Sequence, residues 1–161
     1  MREVIEEFLY ALDECFDGEG KDGGIFLEPE DPGLFSMLGA LSAQEASRPI
    51  AGRSIANHVY HLIFAIDVFI KRVGAYTSAL QVNWETSWHE RHLSESEWED
   101  MKKELARVRE DAASAARRAL IDYIDYIDYA QHLRLVSGLL THTVFHLGII
   151  RVKFDELHMI R

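Results

Sequence analysis

Thr141-His142-Thr143-Val144-Phe145-His146-Leu147-Gly148 sets two imidazoles one helical turn apart inside an otherwise apolar stretch. Around it, Leu135, Leu139, His142, His146 and Ile149 recur at the spacing of a single helix face, which predicts a helix from about Gln131 to Phe154 or a little beyond. A helix with one greasy stripe is not stable alone and must bury that stripe against others. The rest of the chain supplies them. Ile55, Val59, Leu62, Ile66, Phe69 and Val73 define a helix from about Ser54 to Val73, with the Ser54 hydroxyl placed to cap its first turn and Gly74 at its end or at a bend. Ser94-Glu95-Ser96-Glu97 reads as a capping box, and Trp98, Met101, Leu105, Val108, Ala112, Ala115 and Ala119 follow it as an unbroken seam. The seam runs from large to small residues, so a neighbour can approach closely near its C-terminal half. Ile5, Phe8, Leu12 and Cys15 form the stripe of a first helix, Arg2 to Phe16, with Glu3, Glu6, Glu7, Asp13 and Glu14 outside it.

Connections separate these helices. The glycines from Gly18 to Gly24 stop the first helix, and Pro29 and Pro32 keep the next residues non-helical before a short helix over Leu34 to Ser42. Trp84 to Leu93 reads as an irregular, aromatic-rich linker. Three copies of Ile-Asp-Tyr over Ile121 to Tyr129 match neither helical nor strand period. Four long amphipathic helices and few strand signals give an all-α four-helix bundle, one domain over residues 1–161.

Composition narrows the function. A net charge of −10 disfavours a nucleic-acid or anionic-membrane partner, both of which need a basic face. The single cysteine, Cys15, leaves no internal disulfide and suits a reducing compartment. The opening Met1-Arg2-Glu3-Val4-Ile5-Glu6 carries acids where a secretory signal needs bases and an apolar run. No stretch reaches the roughly 18 uninterrupted apolar residues of a membrane span. The expectation is a soluble, cytoplasmic protein.

His142 and His146, at i and i+4, can aim both rings at one ion, with a third ligand from another helix. Three neutral nitrogens suit a divalent transition metal, zinc or nickel before iron, rather than magnesium or calcium. Three protein ligands leave a position for water or substrate, and Gly138, one turn earlier, leaves room beside the ion. The spacing alone also admits a pair of hydrogen-bonded core histidines with no ion.

The third ligand belongs to Ser54-Ile55-Ala56-Asn57-His58-Val59-Tyr60-His61-Leu62. On a helical wheel His58 lies nearer the centre of the apolar stripe and His61 on its flank. This segment and His142-Thr143-Val144-Phe145-His146-Leu147-Gly148-Ile149-Ile150-Arg151 together resemble the DinB/YfiT-like superfamily, over nearly the whole chain. The sequence departs from the family pattern in carrying Ile149 where members have glutamine. The resemblance implies a four-helix bundle with a long crossover connection, often dimeric, with a divalent metal on three histidines. Carried over position by position, the ligands are His61, His142 and His146, with His58 as a neighbouring partner, a substitute ligand or a proton carrier. It also implies a small-molecule substrate and, in some members, low-molecular-weight thiols in transferase chemistry. The expected function is therefore a metal-dependent S-transferase or hydrolase. The alternative is a non-catalytic metal-binding or stress-response module whose bundle surface binds a partner or a second copy.

Other candidates are weaker. His89-Glu90-Arg91-His92 is one residue short of a zinc-protease pairing and reads as an exposed loop. Trp84, Trp88 and Trp98 read as a lid over the open end of the core. Asp122, Asp125 and Asp128 read as solvated carboxylates, and Tyr123, Tyr126 and Tyr129 as packing or dimer-contact residues. Cys15 reads as a small core residue. Asp155-Glu156-Leu157-His158 is a single Asp-x-x-His, short of the two Glu-x-x-His motifs of a di-iron bundle.

Overall fold

The structure, a computed structural model, describes residues 2–18, 24–75, 80–89, 92–121 and 129–159. It is all-α. Its helices are α1 (Arg2–Asp17), α2 (Leu34–Gly39), α3 (Ala43–Ser47), α4 (Ile55–Ala75), α5 (Glu95–Ile121) and α6 (Tyr129–Met159), with a 3-10 helix at Trp84–Trp88. Among the described residues there is no strand, only isolated bridges at Gly18–Pro32 and Ile50–Arg53.

The expected stripes are buried. Trp98, Leu105, Val108, Ala112, Ala115 and Ala119 of α5 are sealed, and α4 packs against both α5 and α6 along Ile55, Val59, Leu62 and Ile66. The Ser94–Glu97 capping box forms as read, with the Ser94 amide 2.8 Å from the Glu97 carboxylate. Ser54 caps α4 by a reciprocal pair with Asn57, each amide donating 3.1 Å to the other's side-chain oxygen.

Several boundaries move. The short helix expected over Leu34 to Ser42 ends at Gly39, and beyond it Ser42 and Glu45 form a capping box that starts a helix not anticipated, α3. α4 continues through Gly74, since a glycine with no steric demand on its backbone weakens a helix without ending it. α6 starts at Tyr129 rather than Gln131, and it runs a little beyond Phe154, as read, to Met159. By length and composition α6 is apolar enough to cross a membrane, a property shared by core helices of bundles, and it buries His146 and Lys153 in the protein interior. The Ile-Asp-Tyr repeat with Asp122, Asp125, Asp128, Tyr123 and Tyr126 lies outside the described residues. Tyr129 packs, partly buried, against the core.

Trp98 corrects the lid reading. It is fully buried in the core, its indole N–H donating 2.9 Å to the Leu41 carbonyl. Glu14 corrects the first stripe. Read as solvent-facing, it is 3% exposed, and its carboxylate accepts the amides of Ile25, Phe26 and Leu27 at 2.9, 2.7 and 2.6 Å. One buried carboxylate thus satisfies three successive backbone donors. The same connection is fastened to α6 by Arg151, whose two terminal nitrogens each lie 2.6 Å from an Asp31 oxygen. This fork holds the Asp31 carboxyl below the usual carboxylate range. Where the connection crosses the end of α1, Gly18 (φ 88°) meets Gly33 so closely that a Cβ on Gly33 would lie 2.2 Å from the Gly18 nitrogen. Only glycine fits there.

Candidate metal centre

α4 and α6 run antiparallel and share a face, so the histidines of one meet those of the other in reverse order. His61 faces His142 and His146, with ring centroids 5.2 and 5.0 Å away, and His142 and His146 are 4.6 Å apart. One nitrogen from each of His61, His142 and His146 falls within 4.8 Å of the other two, a group that could hold a metal ion. It is the only such group of His, Cys, Asp or Glu side chains among the described residues. His58, one turn before His61, is also at the centre, with its Nδ1 3.1 Å from the Nδ1 of His146.

The free nitrogens can be counted. Ser87 Oγ donates its one proton to the Trp84 carbonyl at 2.6 Å. Its 2.7 Å contact with His61 Nδ1 must then be an N–H donated by the imidazole. That fixes the His61 tautomer and leaves Nε2 with a bare lone pair. The His58–His146 contact requires one protonated and one bare Nδ1. With His146 as donor, its Nε2 is bare too. His142 Nε2 is buried with no hydrogen-bond partner. An unpaired nitrogen in such a place is costly unless something else satisfies it, and a cation coordinated by nitrogen would. The donor set and the orphaned atom both fit a divalent transition metal.

Electrostatics agree. Burial pushes His58 and His61 down to about 4 and His146 to about 3, and it lowers His142 as well. Neighbouring imidazoles add to the effect on His61 and His146, and Lys153 and Arg53 to that on His58. All four rings are neutral at pH 7, the state a metal requires.

The 3-10 helix covers one side. Trp88 stacks on His61 with centroids 3.8 Å apart and meets His58 edge-on at 5.4 Å. The Arg53 guanidinium sits 3.9 Å from the Trp88 ring centroid. Trp84 and Trp88 thus border the histidines, as a lid over the site rather than over the core. On the far side an open groove of about 640 Å³, bordered by Ile50, Arg53, Phe145 and Lys153, reaches His58.

The remaining candidates stay outside. His89 and His92 are exposed, as expected of a loop. The His158 ring contacts the Phe154 carbonyl at 2.7 Å near the end of α6. Cys15 is sealed in the core, and burial pushes its thiol up to about 12, so it is no nucleophile. Ser87 was not read from the sequence, since a serine in an irregular segment carries no periodicity; the clustered tryptophans beside it were the available signal.

Comparison of the chain with protein-family models, with curated proteins and with solved structures finds no match in any of the three.

Proposed function

We propose that this protein is a DinB/YfiT-like metalloenzyme: a four-helix bundle of α1, α4, α5 and α6 holding zinc or nickel, or else iron, on His61, His142 and His146. The reaction is the thiol-dependent S-transfer or hydrolysis of a small molecule. The observation that carries the reading is the buried, partnerless Nε2 of His142, beside a His61 whose Nε2 is left bare by its bond to Ser87.

A bound divalent transition ion supplies Lewis acidity, which makes a thiol or water nucleophilic at neutral pH. The chain's own groups do the rest. Ser87 holds the His61 ring in one tautomer and orientation. His58 holds His146 through the Nδ1 pair and is the nearest group able to take up or release a proton. Trp88 excludes water from the His61 face.

Elemental analysis of protein purified without an affinity tag tests the metal. About one equivalent of zinc or nickel, lost in His61→Ala and His142→Ala, is expected; a metal-free protein that takes up none on dialysis overturns the reading. A screen of the loaded protein for conjugation of small thiols to electrophiles tests the chemistry.

The exposure of Phe145 (62%) and Val152 (59%) on one side of α6 favours a second reading. There the ion is structural and the bundle is a non-catalytic binding or stress-response module, paired through this apolar strip as a homodimer. Chelation would then lower the melting temperature and dissociate the dimer, with no substrate consumed in any assay.

A further inference from the structure

A second cavity, of about 190 Å³, lies between α4 and α6 on the other side of the histidines. His142 closes one end. Its walls are apolar, formed by Ile66, Phe69 and Leu139, with Trp84 at the rim. Arg72 of α4 and Arg134 of α6 also line it. Because the helices are antiparallel, moving from His61 to Arg72 along α4 runs the same way as moving from His142 back to Arg134 along α6. Eight residues separate His142 from Arg134, about 12 Å of helix axis.

Neither Arg72 nor Arg134 makes a hydrogen bond or ion pair with a described residue. Arg107, Arg109 and Arg151 are all engaged by carboxylates. An apolar chamber lined by two arginines that have no partner among the described residues suits a molecule with an apolar body and an oxyanion at one end. Gly138 sits midway between Arg134 and His142 on α6, and a Cβ there would meet nothing within 4 Å. A larger side chain there has open space to extend into.

We infer that this cavity binds a short amphipathic anion, its carboxylate or phosphate held by Arg72 and Arg134 and its apolar body lying past Gly138 toward His142. A cavity of about 150 Å³ admits benzene, so the body is of about that size or slightly larger. As a statement about substrate, this rests on the metal reading above, since only a centre at His142 gives the bound molecule something to react with. As a statement about binding, it does not.

The test is titration of the metal-free and the zinc-loaded full chain with hexanoate, butyl phosphate and hexanamide. Binding is followed by the NMR signals of the Trp84 indole and the arginine Nε–H groups. Saturable shifts with an anion and none with the amide are expected, and the tighter of hexanoate and butyl phosphate identifies the headgroup. Arg72→Ala and Arg134→Ala should each weaken binding roughly ten- to a hundredfold. Gly138→Leu, which suits a helix better than glycine does, should abolish it while the protein stays folded and still binds zinc. Equal binding of hexanoate and hexanamide, unchanged binding in both arginine variants, or no saturable binding of any probe overturns the inference. If zinc fails to bind but hexanoate does, the metal reading falls and the anion cavity stands. If zinc binds the three histidines and no anion does, the reverse holds.

Discussion

The Nδ1 of His61 lies 2.7 Å from Ser87 Oγ, and that hydroxyl is already committed as donor to the Trp84 carbonyl. One serine on a 3-10 turn thereby decides which nitrogen of a histidine on another element is free. The consequence is measurable. Ser87→Ala should leave the fold intact and weaken zinc binding by about 10- to 100-fold. Competition against a chromophoric chelator reads this directly; an unchanged Kd would mean that the contact does not orient the ring.

His142 distinguishes a metal ligand from a core histidine. Its Nε2 has no partner to lose, so His142→Leu removes an unsatisfied polar atom from a partly apolar place. The metal-free variant should melt at the same temperature as the parent or higher, while the rise in melting temperature on adding zinc disappears. A metal-free variant that melts much lower than the parent would mark His142 as a structural residue.

Acid should destabilise the metal-free protein early. Burial holds His58 and His61 down to about 4 and His146 down to about 3 in the folded state, against about 6.5 for a free imidazole. Below about pH 6.5 the unfolded chain therefore binds more protons than the folded one, and stability falls as pH drops toward the folded values. Each group contributes up to about 1.4 kcal/mol per pH unit within that window. Urea unfolding in chelator at pH 7.5 and pH 5.0 checks it, and equal midpoints at both would contradict the burial of neutral rings.

Glu14 should matter more than its place in an acidic helix suggests. Glu14→Ala leaves the amides of Ile25, Phe26 and Leu27 without their acceptor. The expected cost is about 2–4 kcal/mol, read as a drop in urea midpoint. Hydrogen exchange should accelerate at those three amides in particular. A cost below about 0.5 kcal/mol, the range of ordinary surface changes, would show that they are satisfied by water instead.

The helices were legible in the sequence because a 3.6-residue period is a local property. The α5 seam from Trp98 to Ala119, the stripe of α4 and the capping residues Ser54 and Ser94 each follow from neighbours within a few turns. His142 and His146 were legible as a pair for the same reason, being one turn apart on one helix. The sequence wheel favoured His58 over His61, because it ranks residues by distance from one stripe while α4 faces two neighbours. Packing puts His61 in the group with His142 and His146, and it turns His58 onto His146.

What the sequence determined by itself was which segments are helical, which faces are apolar and which side chains carry ligand chemistry. Each of these is fixed by spacing along one stretch of chain. Only the tertiary structure decided that Glu14 is buried, that Ser87 orients His61, and that Arg72 and Arg134 share a cavity with His142. These pairings join residues far apart in the chain, through an irregular turn or across two antiparallel helices. No periodicity encodes a contact whose partners are brought together only by burial of the faces around them.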